Sequence, residues 1–73
     1  MGQSVIKKFY LYDRDSNKFL VELLFGEKVW LEEGELDSVP RTWAFTENEI
    51  IEKFGEENLK YKLAIEDYKQ NKY

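Results

Sequence analysis

Neither cysteine nor histidine occurs in this chain of 73 residues, and that absence sets the terms on which it folds. A domain of this length buries only about 60% of the surface its unfolded form exposes. Other small domains make up the shortfall with disulfides or a structural metal; here side chains alone must supply the core. Two tryptophans, five tyrosines and five phenylalanines are the means, because each ring buries a large area. The same absence removes thiol and imidazole chemistry. Serines stand only at positions 4, 16 and 38, none in a nucleophile motif, so triad and thiol mechanisms have no members. The expectation is a chain with no catalytic residue, no cofactor and no metal.

The N-terminal "MGQSVIKKFYLY" has no long apolar run, which argues against a signal peptide or membrane span. Lack of cysteine suits a reducing compartment, so a cytoplasmic protein is expected. The segment "VIKKFYLY" is rich in β-branched and aromatic residues and predicts a first strand over 5–12. "DRDSNK" follows as a polar connection, and "FLVELLF" predicts a second strand over 19–25. Phe19, Val21, Leu23 and Phe25 alternate with Leu20, Glu22 and Leu24, so this strand is apolar on both sides and belongs in the middle of a sheet. After Gly26, "EKVWLEE" reads as a short third strand or as the far end of a bent second one. "EGELDSVP" predicts an exposed, mobile loop. "RTWAF" resumes an extended pattern with Trp43 and Phe45 on one face.

A helix is marked at both ends in "FTENEIIEKFG". Thr46 and Glu49 have the spacing of a capping box, and Phe45 with Ile50 that of a hydrophobic staple. Gly55 supplies the positive-φ residue that commonly ends a helix, and Ile50, Ile51 and Phe54 form its apolar side. Beyond it, Leu59, Tyr61, Leu63 and Ile65 alternate with Lys60, Lys62 and Ala64, while Tyr61, Ala64, Ile65 and Tyr68 also fit a helical stripe. Strand and helix both remain open over 59–67, with a strand preferred, and the tail from about residue 69 is expected to fray. These signals together predict one α+β domain over 1–73: an antiparallel sheet of four to five strands with one short capped helix, about residues 47–54, packed on one face.

Asp13, Asp15 and Asn17 match the opening of an EF-hand calcium loop, but the glycine and the closing glutamate it needs are replaced by Lys18 and Leu24. A turn accounts for the same residues. The net charge of −4 divides as +1 over residues 1–26, −7 over 27–57 and +2 over 58–73. An acidic middle opposes binding to phosphate backbones and permits a basic partner. Glu32, Glu33, Glu35 and Asp37 lie beside Trp30, which is either core or a partly exposed anchor for a partner. Those five residues are the candidate partner-binding site. The competing candidate is single-stranded nucleic acid stacking on "KKFYLY", through Lys7, Lys8, Tyr10 and Tyr12.

The order of features over 43–66, with an aromatic before "FTENEI", a short helix and an ending like "YKLAIED", resembles the small uncharacterised proteins encoded by phages and prophages of Gram-positive bacteria. That resemblance brings no catalytic residues with it. It implies a phage or prophage accessory protein; with the acidic middle of the chain, the expectation is a non-enzymatic protein-binding module that modulates a host protein through its acidic surface, by imitating nucleic acid or by inhibiting a host defence nuclease. No membrane partner is expected.

Overall fold

A computed structural model describes residues 6–72. Strands β1 (Phe9–Asp13), β2 (Lys18–Leu23), β3 (Lys28–Glu32), β4 (Arg41–Thr42) and β5 (Lys62–Ala64) form one antiparallel sheet in the order β3-β2-β1-β5, with β4 also paired to β2. Helix α1 (Glu47–Lys53), a second short helix α2 (Ile65–Lys69) and 3₁₀ turns at Glu33–Ser38 and Glu56–Tyr61 complete an α+β domain.

Alternation along β1 and β2 decides where everything else goes. Tyr10, Phe19 and Val21 point to one face, where they are buried with Leu36 and Leu63. Leu11 and Leu20 point to the other, where Phe45 and Ile50 cover them. β2 is thus central and apolar on both sides, as its sequence predicts, and the sheet is sealed twice. We call these the Phe19 face and the Ile50 face.

The Ile50 face is closed by α1. Thr46 Oγ1 accepts from Glu49 N at 3.2 Å and Glu49 Oε1 accepts from Thr46 N at 2.9 Å, the complete capping box. Phe45 before the cap and Ile50 inside it are 1% and 0% exposed, the two halves of the staple. Gly55 follows the helix at φ +104°, where a side chain would be strained. Ile51, grouped with the apolar side from sequence, is 43% exposed; Phe54, four residues after Ile50, packs inward instead.

Several boundaries differ from the sequence expectation, each for a local reason. β1 begins at Phe9, with Ile6, Lys7 and Lys8 outside the ladder, and Val5 lies outside the described residues. β2 ends at Leu23, because Gly26 at φ +86° donates its N–H to Leu23 O at 3.0 Å and turns the chain into β3. "EGELDSVP" is exposed as expected at Glu33, Gly34, Glu35, Asp37, Ser38 and Pro40, but it is wound into a 3₁₀ turn over Glu33–Ser38: Leu36 is 3% exposed in the Phe19 cluster, and Ser38 Oγ donates to Glu35 O at 2.7 Å. Trp43 and Phe45 lie on opposite faces, since β4 stops at Thr42; Trp43 joins the Phe19 cluster while Phe45 bridges to Phe9 and joins Ile50. The stretch 59–67 uses both of its periodicities in turn, as the end of a 3₁₀ turn, three residues of strand and the start of α2. α2 continues to Lys69, and the amides of Gln70, Asn71 and Lys72 donate back to Glu66, Tyr68 and Asp67.

The calcium-like residues make the β1–β2 turn. Asp13 accepts from Asp15 N at 3.0 Å and Ser16 Oγ at 3.2 Å, and Asn17 takes the left-handed position at φ +58°. Its Oδ1 accepts from Tyr12 Oη at 2.6 Å, so the carboxylate and the amide are both spent on the turn.

Candidate functional site

The β2–β3 hairpin places large apolar side chains where turns normally carry polar ones. Leu23 N donates to Glu27 O at 2.7 Å and Gly26 N to Leu23 O at 3.0 Å, a three-residue loop with glycine in the bulge position. Leu24 and Phe25 therefore occupy its two outer corners, 72% and 89% exposed. Leucine and phenylalanine gain nothing there from folding.

The stem beneath this tip is braced. Glu22 receives Lys53 Nζ at 2.9 Å and Lys28 Nζ at 3.8 Å, which ties the hairpin to the end of α1. The Lys53 hydrogen bond is the main reason the Glu22 carboxyl is held below the usual carboxylate range; partial burial opposes it. Lys53 is raised in return, first by the same hydrogen bond.

Beside the tip runs a groove of about 360 Å³ whose walls include Leu23, Leu24, Gly26, Pro40, Arg41 and Thr42. Arg41 is fixed by Asp37 Oδ1 at 3.2 Å and lies 5.8 Å from the centre of the Trp43 ring. Among the described residues its buried Nε has no hydrogen-bond partner. The groove thus joins an apolar corner to a cation that the acidic turn holds in place.

The residues singled out from sequence are divided between the two faces. Trp30, 36% exposed, pairs with Leu20 and meets the Tyr61 ring edge-on at 5.1 Å, on the Ile50 side. The 3₁₀ turn with Glu33, Glu35 and Asp37 is anchored by Leu36 on the Phe19 side. Each of those carboxylates has an internal partner: Glu33 accepts from the Tyr68 hydroxyl, Glu35 from Glu32 N at 2.9 Å, and Asp37 from Arg41. Of the five candidates, only Asp37 is tied to the groove, through Arg41.

In "KKFYLY", the competing candidate for stacking bases, the aromatic rings turn to the core. Tyr10 is 9% exposed and stacks on Trp43 at 4.0 Å, with Phe19 and Tyr68 edge-on around it. Tyr12 packs against Phe19. Lys7 and Lys62 instead flank the Phe9 ring, at 5.6 and 4.8 Å from its centre, and Lys62 pairs with Glu47. Among the described residues, no group of three or more acidic side chains is arranged to hold a metal ion, and no helix is long and apolar enough to cross a membrane.

Leu24 and Phe25 escaped the sequence reading because "FLVELLF" looks like one continuous strand. The signal was Gly26: a positive-φ residue closing a turn consumes the two residues before it as well. The chain matches no protein-family model, no curated protein and no solved structure.

Proposed function

We propose that this chain is a non-enzymatic protein-binding module that seats the Leu24–Phe25 hairpin tip in an apolar pocket of its partner. One observation carries the reading. A chain that must find its whole core among its own side chains leaves a leucine and a phenylalanine side by side outside it, on a braced turn where polar residues would be cheaper. Exposed apolar anchors on rigid supports are what protein interfaces are built around.

The groove alongside gives the partner's rim a carboxylate and a cation to meet, at Asp37 and Arg41. The acidic middle of the sequence favours a partner with basic residues around its pocket. Glu33, Glu35 and Asp37 each have an internal partner, which supports ordinary docking over imitation of nucleic acid. The resemblance of residues 43–66 to phage-encoded proteins supports a host protein as that partner, met in the cytoplasm, with the chain acting as a phage or prophage accessory factor.

The test is a comparison of two baits in bacterial lysate, the unaltered chain and a Leu24→Ser/Phe25→Ser variant, with and without nuclease. The expected result is a host protein retained by the first, lost with the second and indifferent to nuclease. Equal retention by both baits overturns the hairpin tip as the site. Recovery that disappears with nuclease would move the reading to nucleic acid.

A further inference from the structure

β3 forms one border of the sheet, and its hydrogen-bonding groups follow a fixed alternation. Because Leu23 and Glu27 are a bonded pair at the turn, Val29 and Leu31 turn their N–H and C=O groups inward to Val21 and Phe19, while Lys28, Trp30 and Glu32 turn theirs outward. Glu32 N confirms the parity, since it donates to the Glu35 side chain off the ladder. Among the described residues, Lys28 and Trp30 make no backbone hydrogen bond beyond the sheet. Such a border is a template for another strand, and proteins usually blunt it with charged side chains, proline, a bulge or a covering loop; here the charges, Lys28 and Glu32, stand only at the two ends. Lys28–Glu32 has neither proline nor glycine, and it pairs residue for residue along β2 without a bulge.

The sequence of this border is self-complementary. Read as Lys28-Val29-Trp30-Leu31-Glu32, it carries a cation at one end, an anion at the other and tryptophan at the centre. We propose that a second copy of this chain pairs antiparallel along β3, about a two-fold axis at Trp30. Parity allows only registers in which even-numbered residues face one another. Centred on Trp30, Lys28 faces Glu32 of the second copy and Glu32 faces its Lys28. Shifting the axis one residue either way leaves one of those charges opposite tryptophan, and shifting it two sets like charges face to face.

The same register satisfies the remaining groups. The Trp30 N–H and C=O of the two copies bond to each other, and each Lys28 N–H reaches the carbonyl of the opposing Glu32, whose own amide Glu35 already holds. On the Ile50 side the two Trp30 rings meet, each already against its Tyr61. On the Phe19 side Val29 and Leu31 face their counterparts and extend the apolar cluster. Five residues a side fall well short of the roughly twenty to thirty of a stable interface, so association is expected to be weak, with a dissociation constant in the range of about 0.1–1 mM. The antiparallel axis sends the two Leu24–Phe25 tips to opposite ends, so the dimer leaves both free.

Sedimentation equilibrium of the unaltered chain up to about 1 mM is expected to show a monomer–dimer equilibrium. Lys28→Glu and Glu32→Lys should each raise the dissociation constant by roughly tenfold or more, since two symmetric contacts turn repulsive. The double variant should return it to near the original value, because the pair is restored with its signs exchanged. Thermal unfolding of each variant establishes that it is folded. With no other cysteine in the chain, Trp30→Cys should oxidise to a disulfide-linked dimer, its partner Cα lying about 5.5 Å away across the axis. Lys28→Cys, which faces residue 32, should remain monomeric under the same conditions. A chain that stays monomeric, a dimer indifferent to both charge reversals, or equal cross-linking at 28 and 30 overturns the proposal.

Discussion

Phe45 and Phe25 are the same side chain in opposite circumstances, 1% and 89% exposed. Phe45 sits before a capped helix where the cap, the staple and the burial of Ile50 all require the same placement. Phe25 sits on a turn where the backbone requirement, satisfied by Gly26, is the only one its neighbourhood meets, and the side chain is left without a role in the fold. The difference teaches where to look for function. In the first region local signals and tertiary packing agree; in the second they part, and the apolar surface left over is what the proposed partner would cover.

The largest test of this contrast is at the sealed face. Ile50→Ala or Phe45→Ala should lower stability by about 3–5 kcal/mol, enough to leave a domain this small close to unfolding; urea denaturation measures it. Gly55→Ala comes next, at about 1–3 kcal/mol, because its φ is +104° and the new Cβ would lie 2.8 Å from the Glu57 carboxylate oxygens. Gly26→Ala should cost less, as its Cβ would meet open space and only the φ of +86° is strained. Thr46→Ala removes the acceptor for Glu49 N and should cost about 1 kcal/mol, read from the same denaturation curves.

Acid sharpens the comparison at the hairpin stem. Glu22 has its folded pKa depressed, chiefly by the Lys53 hydrogen bond, so it contributes stability above the unfolded carboxylate value of about 4.3. That contribution is lost as pH falls through the lower folded value. Stability measured against pH should therefore fall less steeply in this acid range for Glu22→Gln than for the unaltered chain. Smallest of all should be Phe25→Ser, within about 0.5 kcal/mol of the original stability while partner binding is lost. A loss comparable to that of Phe45→Ala would break the comparison outright.

The capped helix was legible residue by residue because its signals are local: Thr46, Glu49, Phe45 and Ile50 announce their roles within six positions. β2 was legible too, since burial on both sides of a strand leaves a run of apolar residues. What was hidden depended on distant partners. Leu36, one leucine among carboxylates, reads as loop until the Phe19 cluster exists to receive it. Trp43 and Phe45 share a parity that holds only while the strand continues, and β4 ends at Thr42, before either of them. Tyr10 looks like an exposed platform from its lysine neighbours and becomes core once Trp43 arrives from elsewhere in the sequence. The candidate site is split between faces, with Trp30 beside Leu20 on one and the turn after Glu32 anchored by Leu36 in the Phe19 cluster on the other, a division that closeness along 30–37 does not reveal.

The parallel stack of Tyr10 on Trp43, 4.0 Å between centres and 7° between planes, has an optical consequence. Two aromatic chromophores held this close and in fixed orientation couple their transitions, so the near-ultraviolet circular dichroism of the folded chain should carry a signature that vanishes when the Phe19 face opens. Trp30, edge-on to Tyr61 at the border of the sheet, has a different environment and its own emission. One indole reports on the interior and the other on the border, so a single sample distinguishes unfolding from association without any label.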